Sequence, residues 1–419
     1  MKIDVFPSVV SGTITPPASK SMLHRSIISA ALSKGTSRIN NVVYSEDVLA
    51  TINAFKSIGV DIRTEPNYLV IQSKGLGDFK HNLEVDCNES GSTLRFLIPV
   101  LSNSNKVHFK GKSGLLKRPM TIYEDIFKSQ NLKYEKTDLS IITQGKIKSG
   151  NFRIRGDISS QFISGLMFIL PTLDGDSTIE ITGNLESANY VALTISVLKL
   201  FSIIITTSEN VFSIKGNQTY KSTEINTEID FSQLAFYAVL GTINNSIKIA
   251  NISFDSLQPD KYIFDIIQDM GGYISKELNT AVFSHSKTKG IAIDIGQYPD
   301  LAPILGVLGA LSTEKTEILN AKRLIIKESN RLLSTYNMLK NFGVNVNMGI
   351  DFLEIFGPNN LTGCEVDSYN DHRIAMAAAI AATVADSKVT INNAEAINKS
   401  YPNFYKDLQS LGVKIHFRS

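Results

Sequence analysis

The sequence predicts an α/β protein built from six similar units grouped into two domains. Three observations carry that expectation. A polar stretch running straight into a helix of small apolar residues recurs six times, and an amphipathic helix closed by a turn recurs with the same period. Between these helices lie short β-branched stretches that read as strands.

Taken in chain order, the first element appears as PASKSMLHRSIISAAL from Pro17, CNESGSTLRFLIPVL from Cys87 and GDISSQFISGLMFIL from Gly156. It returns as EIDFSQLAFYAVLG from Glu228, QYPDLAPILGVLGAL from Gln297 and SYNDHRIAMAAAIAA from Ser368. These starts are 70, 69, 72, 69 and 71 residues apart. The second element follows as INAFKSIGVDI, YEDIFKSQNLKYE, VLKLFSIII, IFDIIQDMGGYIS, YNMLKNFGVNV and FYKDLQSLGVKI. Apolar residues at i, i+3, i+4 and i+7 make these helices, and Gly59, Gly343 and Gly412 sit where a left-handed terminal residue is favoured. YLVIQS, SIIITTS, SIKIANI and KVTINNA supply strands, so each unit reads strand, helix, strand, helix and further strand. Three units per domain place the crossings near residue 15 and at Glu228. One domain then comprises residues 1–14 and 228–419, the other residues 15–227.

Composition narrows the function classes. Lys and Arg total 42 against 40 Asp and Glu, a net charge of +2, which gives no sign of a nucleic-acid partner. Two cysteines, Cys87 and Cys364, make neither a disulfide framework nor a zinc site, so a reducing compartment, the cytoplasm, is expected. Neither a targeting segment nor an apolar run long enough to span a membrane is legible, and the scattered histidines give no metal-ligand grouping.

The polar residues of the repeated element fall at helix N-termini, where free backbone N–H groups and the helix dipole favour anions. Ser, Asp and Asn also cap helices, which is the simpler reading of any one of them. Capping leaves the cations unexplained. Lys20 and Arg25 in the first copy, Arg95 in the second and Arg373 in the sixth occupy otherwise apolar helices, a pattern that suits convergence on an anionic ligand. GKSGLLKRPM adds Lys117 and Arg118 in a loop, and IIKESNR sets Lys327 and Arg331 four apart around Glu328, the spacing of an intrahelical charge network.

PPASKSMLHR, ESGSTLR, KRPM, SSQF, Pro299–Asp300, IKESNR and YNDHR, in this order and spacing, resemble the motif set of the enolpyruvyl transferases. The resemblance runs from Pro16 to INKSYPNFY around Lys399 and points to the branch that uses shikimate 3-phosphate. It implies an inside-out α/β barrel of three βαβαββ units in each domain, with the active site in the cleft between them. The implied reaction moves the enolpyruvyl group of phosphoenolpyruvate to the 5-hydroxyl of shikimate 3-phosphate and releases phosphate. No cofactor or metal, and a monomer, are implied.

The same resemblance implies roles. Lys20 touches both substrates and assists proton transfer, while Ser21 and Arg25 bind shikimate 3-phosphate together with Ser159, Ser160, Gln161, Ser187 and Lys327. Tyr190 keeps the family's spacing from Ser187. Asp300 takes the hydroxyl proton, and Glu328 gives a proton to the enol carbon and later recovers it. Gly91, Arg118, Gln161, Arg331, His372, Arg373 and Lys399 surround phosphoenolpyruvate. Against the family pattern, His24 replaces an asparagine, Ala188, Asn189 and Ala192 replace a basic residue, Pro and Asp, and Asn330 replaces Asp. The sister branch that acts on UDP-N-acetylglucosamine carries Lys-Asn and a loop cysteine where this chain has Lys20-Ser21 and GKSGLLKRP. A repeat-built DNA clamp is disfavoured by Asp and Glu set among the basic motifs.

Overall fold

The computed structural model describes residues 1–75 and 82–418. It falls into two compact units, Met1–Pro17 with Glu228–Ser419, and Ala18–Thr227. The expected α/β repetition is present in both. Each unit carries three four-stranded sheets built to one plan. Asn151–Arg155 pairs parallel with Ser177–Thr182, which pairs antiparallel with Val211–Ile214, itself antiparallel to Ile205–Ser208. The other five sheets repeat this order of one parallel and two antiparallel pairings.

Two short strands explain the chain crossings. Gly12–Ile14 lies parallel to Ile247–Ile249, so the N-terminal segment completes a sheet of the unit that holds Glu228–Ser419. Glu224–Asn226 lies parallel to the strand Lys34–Asn40 and completes the first sheet of the other unit.

The apolar helices of the repeated element are Lys20–Leu32, Gly91–Val100 and Ser160–Ile169 in one unit, and Phe231–Ile243, Ala302–Leu311 and His372–Ala382 in the other. Every residue of His372–Ala382 is buried. A helix that is apolar all round must be enclosed, whereas a strand alternating in polarity can keep one face in water. Asn151–Arg155 does the latter, burying Phe152 and Ile154 and exposing its other three residues. Helices therefore lie inside and sheets outside within each unit.

The amphipathic helices end alike in all six copies. Gly59, Asn131, Ser202, Gly271, Gly343 and Gly412 take positive φ, and the next residue returns its N–H to the carbonyl five back: Val60 to Phe55, Leu132 to Phe127, Ile203 to Leu198, Gly272 to Ile267, Val344 to Leu339 and Val413 to Leu408. The strand expected over SIIITTS accordingly starts only at Ile205, because Ser202 and Ile203 are used to close the helix. Among the described residues, no helix is long and apolar enough to cross a membrane.

Candidate active site

In the Ala18–Thr227 unit the basic residues gather at the starts of the buried helices. Ser19 caps Lys20–Leu32 by accepting from the Met22 amide, and Lys20 Nζ, in the first turn, pairs with Asp47 Oδ2 at 2.7 Å. Arg25 is buried, with its guanidinium donating to Thr194 Oγ1, the Ser21 carbonyl and the Tyr190 carbonyl at 2.7, 2.8 and 3.1 Å. It also lies over the rings of Phe96 and Tyr190. Burial pulls its pKa down to about 10, so it remains a cation at neutral pH. The departures at 188, 189 and 192 leave this seat intact, because Arg25 is held there by the Tyr190 backbone and the Thr194 hydroxyl.

The second and third copies meet around Gly91. Arg95 Nη1 donates to Gln161 Oε1 at 2.7 Å, and Gln161 Nε2 donates to Ser92 Oγ at 3.0 Å. A Cβ on Gly91 would stand 2.7 Å from Arg118 Nη1 and 3.4 Å from Arg95 Nη1, so the glycine lets both guanidiniums lie against the backbone where a side chain would make the Arg118 end shift. Ser159 caps Ser160–Ile169 through the Gln161 amide. Ser187, at φ 56°, opens the helix Ala188–Leu200 in a left-handed conformation.

The other unit brings together Asp300, Lys327, Glu328, Arg331, His372, Arg373 and Lys399. Asp300 lies in the single turn Pro299–Leu301 and does not cap the helix behind it. Its Oδ1 accepts from Lys327 Nζ at 3.3 Å and Arg331 Nη1 at 2.9 Å, and its Oδ2 from Arg373 Nη2 at 2.9 Å. Burial alone raises this carboxyl's pKa, but Arg373, Lys327 and Arg331 outweigh it and hold the group well below the ordinary carboxylate value. Lys327 moves the other way. Burial, with repulsion from Arg323, Arg331 and Arg373, lowers it to about 8 despite Asp300.

Lys327 and Arg331 do not share a helical face. The helix begins at Arg331, capped by Asn330 through the Leu333 amide, and Lys327 follows the separate turn Lys322–Ile326. They converge by binding the same oxygen of Asp300. The Asn330 departure is thereby explained, since Asn caps a helix as well as Asp does.

Arg331 is buried and forks over three carboxylates. Nε and Nη2 bind Asp371 at 2.9 and 3.2 Å, Nη2 also binds Glu328 Oε2 at 3.0 Å, and Nη1 holds Asp300. Burial pulls its pKa down, yet Asp371, Glu328 and Asp300 together raise it above the ordinary value. His372 Nδ1 sits 2.8 Å from the same Glu328 oxygen. Lys399 Nζ donates to the Asn370 carbonyl at 2.5 Å, a carbonyl presented by two successive left-handed residues, Tyr369 and Asn370. Donor atoms of Glu328, Asp371 and His372 lie within 4.8 Å of one another, a grouping that could hold a metal ion. Arg331 supplies positive charge to both of its carboxylates.

Sequence reasoning missed Asp47, Thr194 and Asp371. Asp371 stands inside YNDHR and could have been found as both helix cap and arginine partner, since its oxygens also accept from the Arg373 amide. Nothing local marks Asp47 or Thr194. Cys87 is fully buried and its thiol pKa is raised by that burial, in keeping with a packing role.

The sequence profile described as EPSP synthase (3-phosphoshikimate 1-carboxyvinyltransferase) matches residues 6–408. A 3-phosphoshikimate 1-carboxyvinyltransferase of Clostridium novyi is 46% identical over 98% of this chain and 97% of its own length. That of Clostridium kluyveri is 45% identical over 99% and 98%. Among solved structures, the EPSP synthase of Acinetobacter baumannii superposes with a TM-score of 0.81 at 22% identity, covering 99% of this chain and all of that one. The enolpyruvyl transferase NikO of Streptomyces tendae gives the same score at 14% identity over 99% and 98%, a likeness of fold. By the profile's span and the relatives' identity, the chain belongs to the EPSP synthase family, with the family's two-domain inside-out barrel, and transfers the enolpyruvyl group of phosphoenolpyruvate to shikimate 3-phosphate.

Proposed function

We propose that the two clusters serve one reaction, with roles divided by charge. The observation that carries this reading is Asp300 held by three cations beside Glu328, which is itself paired to Arg331 and His372. Two carboxylates in different surroundings suit one proton acceptor and one proton donor. Asp300 takes the 5-hydroxyl proton as that oxygen bonds to C2 of the enol, and Glu328 protonates C3. In collapse of the tetrahedral intermediate, the C2–O bond to phosphate breaks and Glu328 recovers a C3 proton. Lys20 touches both substrates and assists proton transfer.

The remaining residues are binders. Ser21, Arg25, Ser159, Ser160, Gln161, Ser187 and Lys327 receive shikimate 3-phosphate. Gly91, Arg118, Gln161, Arg331, His372, Arg373 and Lys399 receive phosphoenolpyruvate. With Arg331 and Arg373 both on it, Asp300 is a weak base. Anionic groups that draw those two guanidiniums away raise its basicity once the substrates are present. The protein works as a monomer in the cytoplasm without nucleic acid.

Phosphate release tests the acceptor. Phosphoenolpyruvate with shikimate 3-phosphate is expected to release phosphate, and phosphoenolpyruvate with UDP-N-acetylglucosamine none; equal release from both overturns the reading. Lys327 supplies a pH test. With its pKa near 8 rather than 10.5, its charge is lost as pH rises through 8, so kcat/KM for shikimate 3-phosphate should fall on an alkaline limb there. Lys327→Arg should carry that limb beyond pH 10, because a guanidinium stays charged. An unchanged limb removes Lys327 from the substrate site.

A further inference from the structure

The departure at position 24 leads into a buried chain of hydrogen bonds that neither the motifs nor the reaction assigns. His24 is fully buried, and its Nδ1 lies 2.7 Å from Thr51 Oγ1. Thr51 Oγ1 lies 2.7 Å from Thr93 Oγ1, which donates to Ser90 Oγ at 2.7 Å. Ser90 Oγ also accepts from the Thr93 amide at 3.2 Å, the capping bond of the helix that starts at Gly91. Thr51, Thr93 and Ser90 are at most 1% exposed. The chain ties three helices together: Lys20–Leu32, Glu46–Ser57, which carries Asp47, and Gly91–Val100.

Its direction is fixed by counting protons. Thr93 spends its hydrogen on Ser90, so Thr51 must donate to Thr93, and His24 Nδ1–H must donate to Thr51. Both the neutral Nδ1–H tautomer and the imidazolium could donate this bond; burial, with Lys20 and Arg25 nearby, holds the His24 pKa well below the ordinary value and so favours the neutral form. His24 Nε2 is then a lone pair, and it is buried with no hydrogen-bond partner among the described residues. Such an atom is costly in a packed interior, and a residue chosen only to fill space there would carry no nitrogen. Ser90 Oγ, accepting twice, has no freedom to leave the cap.

We propose that His24, Thr51 and Thr93 are positioning residues for phosphoenolpyruvate: the directed chain locks the Ser90 cap, and with it the Gly91 turn, against the helices bearing Lys20 and Asp47. A Cβ at Gly91 would stand 2.7 Å from Arg118 Nη1 and 3.4 Å from Arg95 Nη1, so the turn backs directly onto both guanidiniums and a shift of the turn is felt at them. The proposal rests on the reading that Gly91 and Arg118 receive phosphoenolpyruvate.

Thr51→Val removes the two central bonds at nearly constant volume. KM for phosphoenolpyruvate is expected to rise about tenfold, the equivalent of about 1.4 kcal/mol. By the same argument kcat should stay within about threefold and KM for shikimate 3-phosphate within about twofold, while Thr51→Ser restores all three. Thr93→Val should behave as Thr51→Val does and replaces it if that variant folds poorly. A lower melting temperature with both KM values unchanged, or an equal rise in both, overturns the proposal. Arg118→Ala, assayed alongside, separates the two layers. If it leaves KM for phosphoenolpyruvate unchanged, the underlying site assignment fails; if it raises that KM while the valine variants do not, only the positioning role fails.

Discussion

Asp300→Ala is expected to lower kcat by about 10³-fold, the usual scale for a lost general base, while shikimate 3-phosphate still binds. The electrostatics make the second half as informative as the first. Asp300 neutralises Lys327, Arg331 and Arg373 at 2.9 to 3.3 Å, so its removal leaves more positive charge for an anionic ligand. Loss of the carboxylate also removes what holds the Lys327 pKa up, so its alkaline limb should move to lower pH. Phosphate release measures kcat, and titration calorimetry measures binding. Full turnover in the variant takes the base role from Asp300, and lost binding makes the residue structural.

Arg331→Met is expected to cost about 3–5 kcal/mol of stability, the range for removing one partner of a buried charge group. This guanidinium is 2% exposed and serves Asp300, Glu328 and Asp371; Asp300 keeps Lys327 and Arg373 and Glu328 keeps His372, but the fully buried Asp371, with 0% side-chain exposure, loses the guanidinium that its oxygens accept from. At about 2–4 °C per kcal/mol for a unit of this size, the melting temperature should fall by roughly 10 °C. The pH dependence has a definite sign. A carboxyl whose folded pKa is depressed, as that of Asp300 is, contributes stability that is present above its unfolded pKa and lost as pH falls through the folded one. The Asp300 share of the gap between wild type and variant should therefore be full near neutrality and should begin to narrow only below about pH 4, shrinking further as pH falls toward Asp300's depressed folded pKa. Melts followed from about pH 7 down to the lowest pH at which both proteins stay folded measure it, and a difference that does not narrow over that range means that lost packing dominates. Arg331→Lys should fall between, because a point charge cannot fork across three acceptors.

Several parts of this molecule were legible because their causes are local. Helix starts follow from Ser19, Ser90, Ser159, Asp230 and Asp371, each capping an amide two or three residues on. Helix ends follow from a left-handed residue that closes a bond to the carbonyl five back in every copy. Burial of the apolar helices follows from their lack of any polar face. Where the local rule was applied to charge it misled: Lys327 and Arg331 have helical spacing, but Asn330 starts the helix after Lys327.

By itself, then, the sequence determined the six-fold repetition, the placing of most helix starts, and which basic residues would stand near them. Capping, periodicity and left-handed turns act over a few residues and repeat whenever the pattern does. Only the tertiary structure decided which partner each cation meets. Lys20 finds Asp47 at 27 residues' distance, Arg331 finds Asp371 at 40, Arg373 finds Asp300 at 73 and Arg25 finds Thr194 at 169. A charge taken out of water needs a partner, and it takes the one that packing brings within about 3 Å, whatever its place along the chain.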